Sequence, residues 1–403
     1  MTKRRVPRPA ELAEILRPKP IVLNPTDRRL AAAHTIGDLR MIARKRSPRA
    51  VFDYTDGAAE LEDSLRRARQ AFRSVQFHPH VLRGVSDVDT STDILGVRSE
   101  LPFAFAPTGF TRLMNHEGER AVARVAGREG IPFALSTMGT TSIEDVAAAA
   151  PDTRKWFQLY VWRDRAAGKE LMDRAWAAGF DTLLLTVDTP VGGARMRDVR
   201  NGLSIPPALT LRTVLDGATR PAWWFNLLTT EPLTFASLTS WGGTVAELIN
   251  KMFDPTLNFD TLDWVRESWP GKLVVKGIQN AEDAADVVEH GAEAVLVSNH
   301  GGRQLDRAPT PLELLPSVLD AVNGDAEVWL DTGILSGGDI VAAIAMGADA
   351  CLVGRAFLYG LMAGGERGVQ RTVDILRGEL VRTMQLLGVR RIADLRPSHA
   401  TLR

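Results

Sequence analysis

The chain has 403 residues, 45% of them hydrophobic and 24% charged, which suits a soluble globular protein with one large core or two smaller ones. Lys+Arg and Asp+Glu balance at 49 each, so no overall field draws the chain to nucleic acid or to an anionic membrane. The only cysteine, Cys351, lies in an apolar run, which excludes an intrachain disulfide and a cysteine metal cluster and suits a reducing cytoplasm.

The basic, proline-rich stretch from Met1 to Pro20 has no apolar segment and is expected not to be a secretory signal. No run approaches the roughly 18 apolar residues of a membrane span. Residues 1–32 read as an arm over a surface, and 33–403 as one domain. Residues 33–75, including 36–43 and 51–54, read as helices packed outside the main body.

From residue 101 onward, short apolar runs alternate with Ala-rich helical stretches. The strands are expected at 103–106, 133–135, 156–160, 182–187, 273–275, 294–297, 327–330 and 350–353. Helical patterns occupy 118–129, 164–178, 281–290 and 337–346 between them. Continuous apolar strands alternating with helices imply a parallel sheet covered by helices. Eight of them over roughly 250 residues fit an α/β fold, a (β/α)8 TIM barrel with an N-terminal helical extension. A doubly wound open sheet fits less well, because no Gly-x-Gly-x-x-Gly turn follows the first strand. About 85 residues separate the fourth strand from the fifth, where a barrel unit needs about 30. The insertion, about 203–262, carries Trp223-Trp224-Phe225 and Leu227-Leu228, and loops of this length serve as lids or docking surfaces, or are disordered.

Catalytic groups of such barrels lie at the C-terminal ends of the strands. Those positions here hold Pro107-Thr108-Gly109, Ser136-Thr137, Gln158 and Tyr160, Thr186 and Asp188, and Lys276. Ser298, His300 and Arg303 follow, then Asp331 and Gly333, and lastly Gly354-Arg355. His300 is a candidate general base, since its strand aims it at the barrel mouth beside Gly301-Gly302 and Arg303. Asp188 is its natural partner, or else a turn cap. Arg303 and Arg195 are candidate carboxylate clamps, because a guanidinium grips a carboxylate with two parallel bonds. For Arg195, in a loop that also holds Arg197 and Arg200, a solvated basic surface is an equal reading. Lys276 could form a Schiff base or neutralise a cofactor's negative charge. The glycines and Arg355 after the last two strands suit a phosphate, or merely tight turns.

The run Ser298-Asn299-His300-Gly301-Gly302-Arg303-Gln304-Leu305-Asp306 matches the active-site signature of the FMN-dependent α-hydroxy-acid oxidising family, and the chain resembles that family from about Ile36 to Leu395. Glycolate oxidase, mandelate dehydrogenase and bacterial respiratory L-lactate dehydrogenases belong to it. Phe52-Asp53-Tyr54-Thr55-Asp56-Gly57 and Arg197-Asp198-Val199-Arg200-Asn201-Gly202 extend the likeness to actinobacterial flavin-type L-lactate dehydrogenases. The resemblance implies FMN as cofactor and oxidation of an (S)-2-hydroxy acid, L-lactate to pyruvate foremost. Tyr54, Arg195 and Arg303 would hold the substrate carboxylate, His300 would take the proton with Asp188 orienting it, and Tyr160 would bond the substrate hydroxyl. Pro107, Thr108, Gly109, Ser136, Gln158 and Thr186 would line the flavin and ribityl chain, with Lys276 at the N1/C2 carbonyl edge. Ser298, Asp331, Gly333, Gly354 and Arg355 would complete the cofactor set.

Three departures stand out. The family's Asp-Gly-Gly after the seventh strand, with an arginine beyond it for phosphate, is here Asp331-Thr332-Gly333-Ile334-Leu335, so that arginine is missing. Gly109 stands where many oxidases carry alanine. Met138 stands where glycolate oxidase has tryptophan, leaving room for the methyl of lactate. The expected acceptor is a quinone or another respiratory carrier, with oxygen, as in an oxidase or lactate monooxygenase, the runner-up. The expected location is cytoplasmic, as a homo-oligomer, a tetramer, with the tryptophan-bearing insertion either a peripheral membrane contact or a lid or subunit contact. A lysine-dependent aldolase on the same barrel is the rival from another class. A non-enzymatic membrane-binding protein is a distant third.

Overall fold

A computed structural model describes residues 5–16, 22–162, 164–202, 216–238 and 253–403. Eight parallel strands close into a barrel: β1 Phe103–Phe105, β2 Phe133–Ser136, β3 Lys155–Leu159, β4 Phe180–Thr186, β5 Lys272–Ile278, β6 Ala294–Val297, β7 Glu327–Leu330 and β8 Ala350–Val353. The ring closes where Cys351 pairs with Phe103, between β8 and β1. Apart from β5, which runs three residues further, to Ile278, each strand lies within about two residues of its expected limits, because an apolar run buried on both faces has few other places to go.

The two faces of the strands build two cores. Inside the barrel, Ala104, Ala134, Leu184, Val274, Ala294, Leu296, Ala350 and Leu352 surround Trp156 and Trp329. Those two indoles stack at 4.9 Å and 17°, and the neighbouring alanines leave the volume they need. The hairpin Thr92–Ile94 with Val97–Ser99 seals the bottom, the Leu95 amide donating to Glu327 Oε1 at 2.7 Å. Outside, the opposite strand faces pack against the helices. Several helices are started by side-chain caps, Ser142, Asp164, Asn280 and Ser336 each accepting first-turn amides.

The expected helices of the extension are Ile36–Arg46, Arg49–Asp56 and Asp63–Arg73. The arm contains helices too, Pro9–Ile15 and Pro25–Ala31, the second burying Leu30. Unforeseen were the antiparallel pair Val75–Phe77 with Ala400–Leu402, which ties the extension to the C-terminus, and the long helix Glu366–Leu387. The insertion gives way to regular structure earlier than expected. Helix Phe259–Ser268, which precedes β5, begins inside the stretch read as loop, because Asn258 caps it through the Thr261 amide. Within the insertion, helix Pro221–Thr229 is pinned by Trp223 Nε1 donating to Leu113 O at 2.9 Å. Phe235 buries against Phe110 at 4.8 Å.

Candidate active site

The strand register sets polar side chains in a belt around the barrel mouth. Ser136 pairs with Gln158 across β2 and β3, and Thr186 with Lys276 across β4 and β5. Ser136 Oγ donates to Gln158 Oε1 at 2.8 Å, and Gln158 Nε2 donates to Thr186 Oγ1 at 3.0 Å. Lys276 Nζ donates to Ser298 Oγ at 3.0 Å and lies 3.5 Å from Asp331 Oδ2. Side chains from six consecutive strand ends thus form one belt. Pro107, Thr108 and Gly109 lie just above it. Thr108 Oγ1 bonds Thr111 Oγ1 at 3.1 Å, and Met138, half-buried, packs against Gly109.

His300 and Asp188 meet as expected. His300 Nδ1 lies 3.0 Å from Asp188 Oδ1, and the carboxylate is fully buried. Asp188 is therefore a histidine partner and not a turn cap. It passes directly over Gly277, where a Cβ would come within 2.6 Å of Asp188 Cβ, so only glycine fits at that point of β5. His300, Gly301 and Gly302 follow one another at φ +57, +67 and +72. Such left-handed runs are costly for a histidine and persist where surrounding contacts over-determine them. Here the His300 amide donates to Ser298 Oγ at 3.0 Å and the Gly302 amide to Asn299 Oδ1 at 3.0 Å.

Burial pushes the His300 imidazole below its ordinary pKa, and Lys276 and Arg195 add to this while Asp188 opposes it. Burial acts the other way on Asp188, but the charges of His300 and Lys276 outweigh it and hold the carboxyl below its ordinary value. Lys276, despite burial, is held above its ordinary value by Asp331 and Asp188. Together these describe a neutral imidazole, an ionised carboxylate and a charged ammonium.

Across the mouth, the Arg303 and Arg195 guanidinium carbons stand 4.8 and 5.8 Å from the centroid of the Tyr54 ring. Arg303 donates to main-chain carbonyls, Tyr54 O at 2.5 Å and Gly57 O at 3.3 Å. Arg195 Nε is buried with no hydrogen-bond partner. Burial and the neighbouring Arg195 push Arg303 below the ordinary arginine value. Tyr160, also buried, is pushed well up by burial and by Asp188. The two guanidinium groups share the counter-charge of Asp198, and cations this close together suit a further, anionic ligand.

Several residues that hold this site were not singled out from the sequence. Gln304 Nε2 donates to Asp188 O at 3.2 Å and Val191 O at 2.8 Å, fixing the loop that carries Arg195. Asp306 receives the Ser64 amide at 2.8 Å and the Leu61 amide at 3.1 Å, which docks the Tyr54 segment. Both lie in the run 298–306 and could have been marked there. Arg197 bridges Asp56 at 3.0 Å and Glu62, and Asn201 Nδ2 donates to Asp53 at 2.8 Å. Arg69 reaches Gly333 O and, at 2.8 Å, Asp339. Nothing local in the sequence marks these partners, which lie far away along the chain.

Arg355 begins helix Arg355–Gly364 directly after β8. Its guanidinium donates to Thr55 O at 3.0 Å and to Gly57 O and Gly301 O at 2.8 Å each. It links the Tyr54 segment to the histidine turn, with no carboxylate among those partners. Gly354 leaves open space beside it, a Cβ there meeting only Ala106 at 3.6 Å.

A (β/α)8 barrel with a polar belt, a buried ammonium and a glycine–arginine step after β8 has the donor set that a flavin mononucleotide requires. The chain belongs to the FMN-dependent dehydrogenase family, whose profile matches residues 43–402. It is 59% identical over 398 residues to a Mycobacterium tuberculosis protein provisionally named L-lactate dehydrogenase, covering 99% of this chain and 96% of the relative. It is 41% identical to an L-lactate dehydrogenase of Stenotrophomonas maltophilia, over 89% of this chain and 96% of that one. The crystal structure of the monotopic membrane protein (S)-mandelate dehydrogenase superposes with a TM-score of 0.89 at 37% identity, over 92% of this chain and all of that chain.

Proposed function

We propose that this enzyme oxidises (S)-2-hydroxy acids, L-lactate to pyruvate foremost, in a domain spanning 33–403. The observation that carries the reading is a neutral, carboxylate-held histidine facing the paired guanidinium groups of Arg195 and Arg303 across one barrel mouth. Bound FMN would supply the acceptor for the two electrons and for the proton that His300 does not take.

The oxidation removes two electrons and two protons from the substrate. Arg195 and Arg303 hold its carboxylate over Tyr54, and that charge offsets the repulsion between the two cations. Tyr160, kept protonated, donates to or accepts from the substrate hydroxyl. With Nδ1 engaged by Asp188, His300 has Nε2 left to take a proton, and Asp188 stabilises the imidazolium that results. Lys276 would place a positive charge beside the bound flavin. Ser136, Gln158 and Thr186 would offer it donors and acceptors, with Pro107, Thr108 and Gly109 lining the same pocket. Ser298, Asp331, Gly333, Gly354 and Arg355 complete the cofactor set. Met138 is flexible and apolar, and it bounds the space for the substrate side chain.

Electrons then pass to a quinone or another respiratory carrier. Phe225 and Leu228, 68% and 75% exposed on helix Pro221–Thr229, support peripheral contact with the cytoplasmic membrane. The name of the mandelate dehydrogenase neighbour supports the same placement. No helix among the described residues is long and apolar enough to cross a membrane.

The deciding experiment adds L-lactate anaerobically to the purified yellow protein and follows flavin absorbance. Bleaching is expected, and its absence with L-lactate, glycolate, mandelate and longer 2-hydroxy acids sinks the reading. A colourless protein that forms a borohydride-trapped adduct at Lys276 would instead favour the aldolase. Admitting air after bleaching tests the oxidase alternative. Flotation with anionic lipid vesicles, weakened by Phe225→Ser with Leu228→Ser, tests the membrane contact.

A further inference from the structure

Thr332 follows β7 with φ +72. The other described non-glycine residues in that region, among them Glu62, Phe110, His300 and Asn323, are not β-branched. A β-branched residue is poorly tolerated there, since its Cβ crowds the next carbonyl and its rotamers are few. Local preference alone would put glycine at this position, as it does at Gly333 with φ +94.

The hydroxyl explains what holds it. Thr332 Oγ1 donates to Asp331 Oδ1 at 2.7 Å and accepts the Gly301 amide at 3.1 Å. The residue is 8% exposed, so water has little access to replace either bond. Both partners belong to the site. Asp331 is the carboxylate facing Lys276, and Gly301 follows the base. Lys276 in turn donates to Ser298 Oγ, which also accepts the His300 amide. The contacts therefore close a loop through Thr332, Asp331, Lys276, Ser298 and the histidine turn.

The backbone hydrogen bonds of the turn are two, the Gly302 amide to Asn299 O at 2.9 Å and the Arg303 amide to His300 O at 3.3 Å, and neither uses the His300 or Gly301 amide. Each of its three amides also finds a side-chain oxygen: His300 on Ser298, Gly302 on Asn299, Gly301 on Thr332. The first two acceptors are neighbours in sequence. Thr332 alone among the three ties the turn to another strand.

We propose that Thr332 is a positioning residue: its hydroxyl fixes the His300–Gly302 turn to Asp331 and so keeps the base in register with Lys276. This rests on the reading of His300 as the base in 2-hydroxy-acid oxidation. Thr332 acts through Gly301 and Asp331 and does not itself bind substrate.

The test compares Thr332→Ser, Thr332→Val and Thr332→Gly with the parent, all loaded with FMN. Parent turnover of L-lactate is measured first, and its failure counts against the functional reading, not against the bridge. Ser is expected to keep kcat within about twofold, while Val and Gly lose about 10- to 100-fold with KM little changed. Gly relieves the backbone while losing the two hydrogen bonds, so its melting temperature should stay close to that of Val, and a shared loss of turnover at a retained fold separates lost positioning from lost folding. Hydrogen exchange at the Gly301 amide should quicken in Val and Gly and stay parent-like in Ser, whether or not the enzyme turns over. Parent-like Gly301 exchange in Val and Gly overturns the bridge. A kcat for Val and Gly within about twofold of the parent overturns the positioning role.

Discussion

The two walls of the barrel mouth manage buried charge in opposite ways. On the wall built from β4 to β7 the titratable groups are paired, His300 Nδ1 with Asp188 Oδ1 and Lys276 with Asp331. On the wall built from the Tyr54 helix, the 195–201 loop and Arg303, the guanidinium groups of Arg303 and Arg355 end on main-chain carbonyls, and Arg195 Nε ends on nothing. A closed set of pairs holds its protonation states and geometry without help. Arg195 and Arg303, which share the counter-charge of Asp198, gain from a further anion. On the proposed reading, the first wall moves a proton and the second captures a carboxylate.

Breaking the paired wall should cost the most turnover. His300→Asn removes the base, and kcat should fall by about 10²- to 10⁴-fold while the melting temperature stays close to the parent. Stopped-flow reduction by L-lactate would measure it, and a loss under about tenfold would deny His300 its role. Asp188→Asn should cost roughly 10²-fold, with a signed pH effect. His300 must be neutral to act, so the rate falls as pH drops through its depressed pKa. Asp188 is what raises that pKa against burial, Lys276 and Arg195. Its loss lowers the value further, and the acid limb of the kcat/KM profile should move to lower pH. An acid limb that moves up would reverse the assignment.

The unpaired wall should respond differently. Arg195→Met or Arg303→Met should lower kcat/KM by about 10- to 100-fold, as lost charge-assisted bonds do. Because each removes a cation from a repelling set, thermal stability should hold or rise, and calorimetry beside kinetics would show that split. A variant that unfolds while keeping its KM would erase the contrast between the walls. The smallest effect is expected at Arg197→Gln. It loosens the tie of the Arg195 loop to Asp56 and Glu62 and should raise KM by about three- to tenfold, leaving kcat near the parent value.

The barrel was legible because continuous burial leaves a plain record in sequence. Runs such as Ala294–Val297 can only be strands of a covered parallel sheet, and eight of them at barrel spacing leave little choice. His300, Lys276 and Asp331 were legible by position, since the end of a buried strand faces the mouth. The pairing of His300 with Asp188 was one of two readings until Gly277 and Gln304 showed how the carboxylate is steered. Arg195 was balanced against a solvated basic loop, because charge along a chain does not say which side chain turns inward.

What the sequence determined by itself was whatever depends on near neighbours: strand and helix positions, caps such as Ser336, and the kinds of group at each strand end. Tertiary structure decided how those groups divide between two walls, and which guanidinium groups end on main-chain carbonyls and not on a carboxylate. Those properties rest on contacts across a hundred or more residues, such as His300 with Asp188 or Arg303 with Tyr54. The free energy of such a contact depends on burial and distance, which no local pattern records. Thr332 shows the limit clearly: glycine suits its backbone better, and only the folded chain reveals the hydroxyl's two partners.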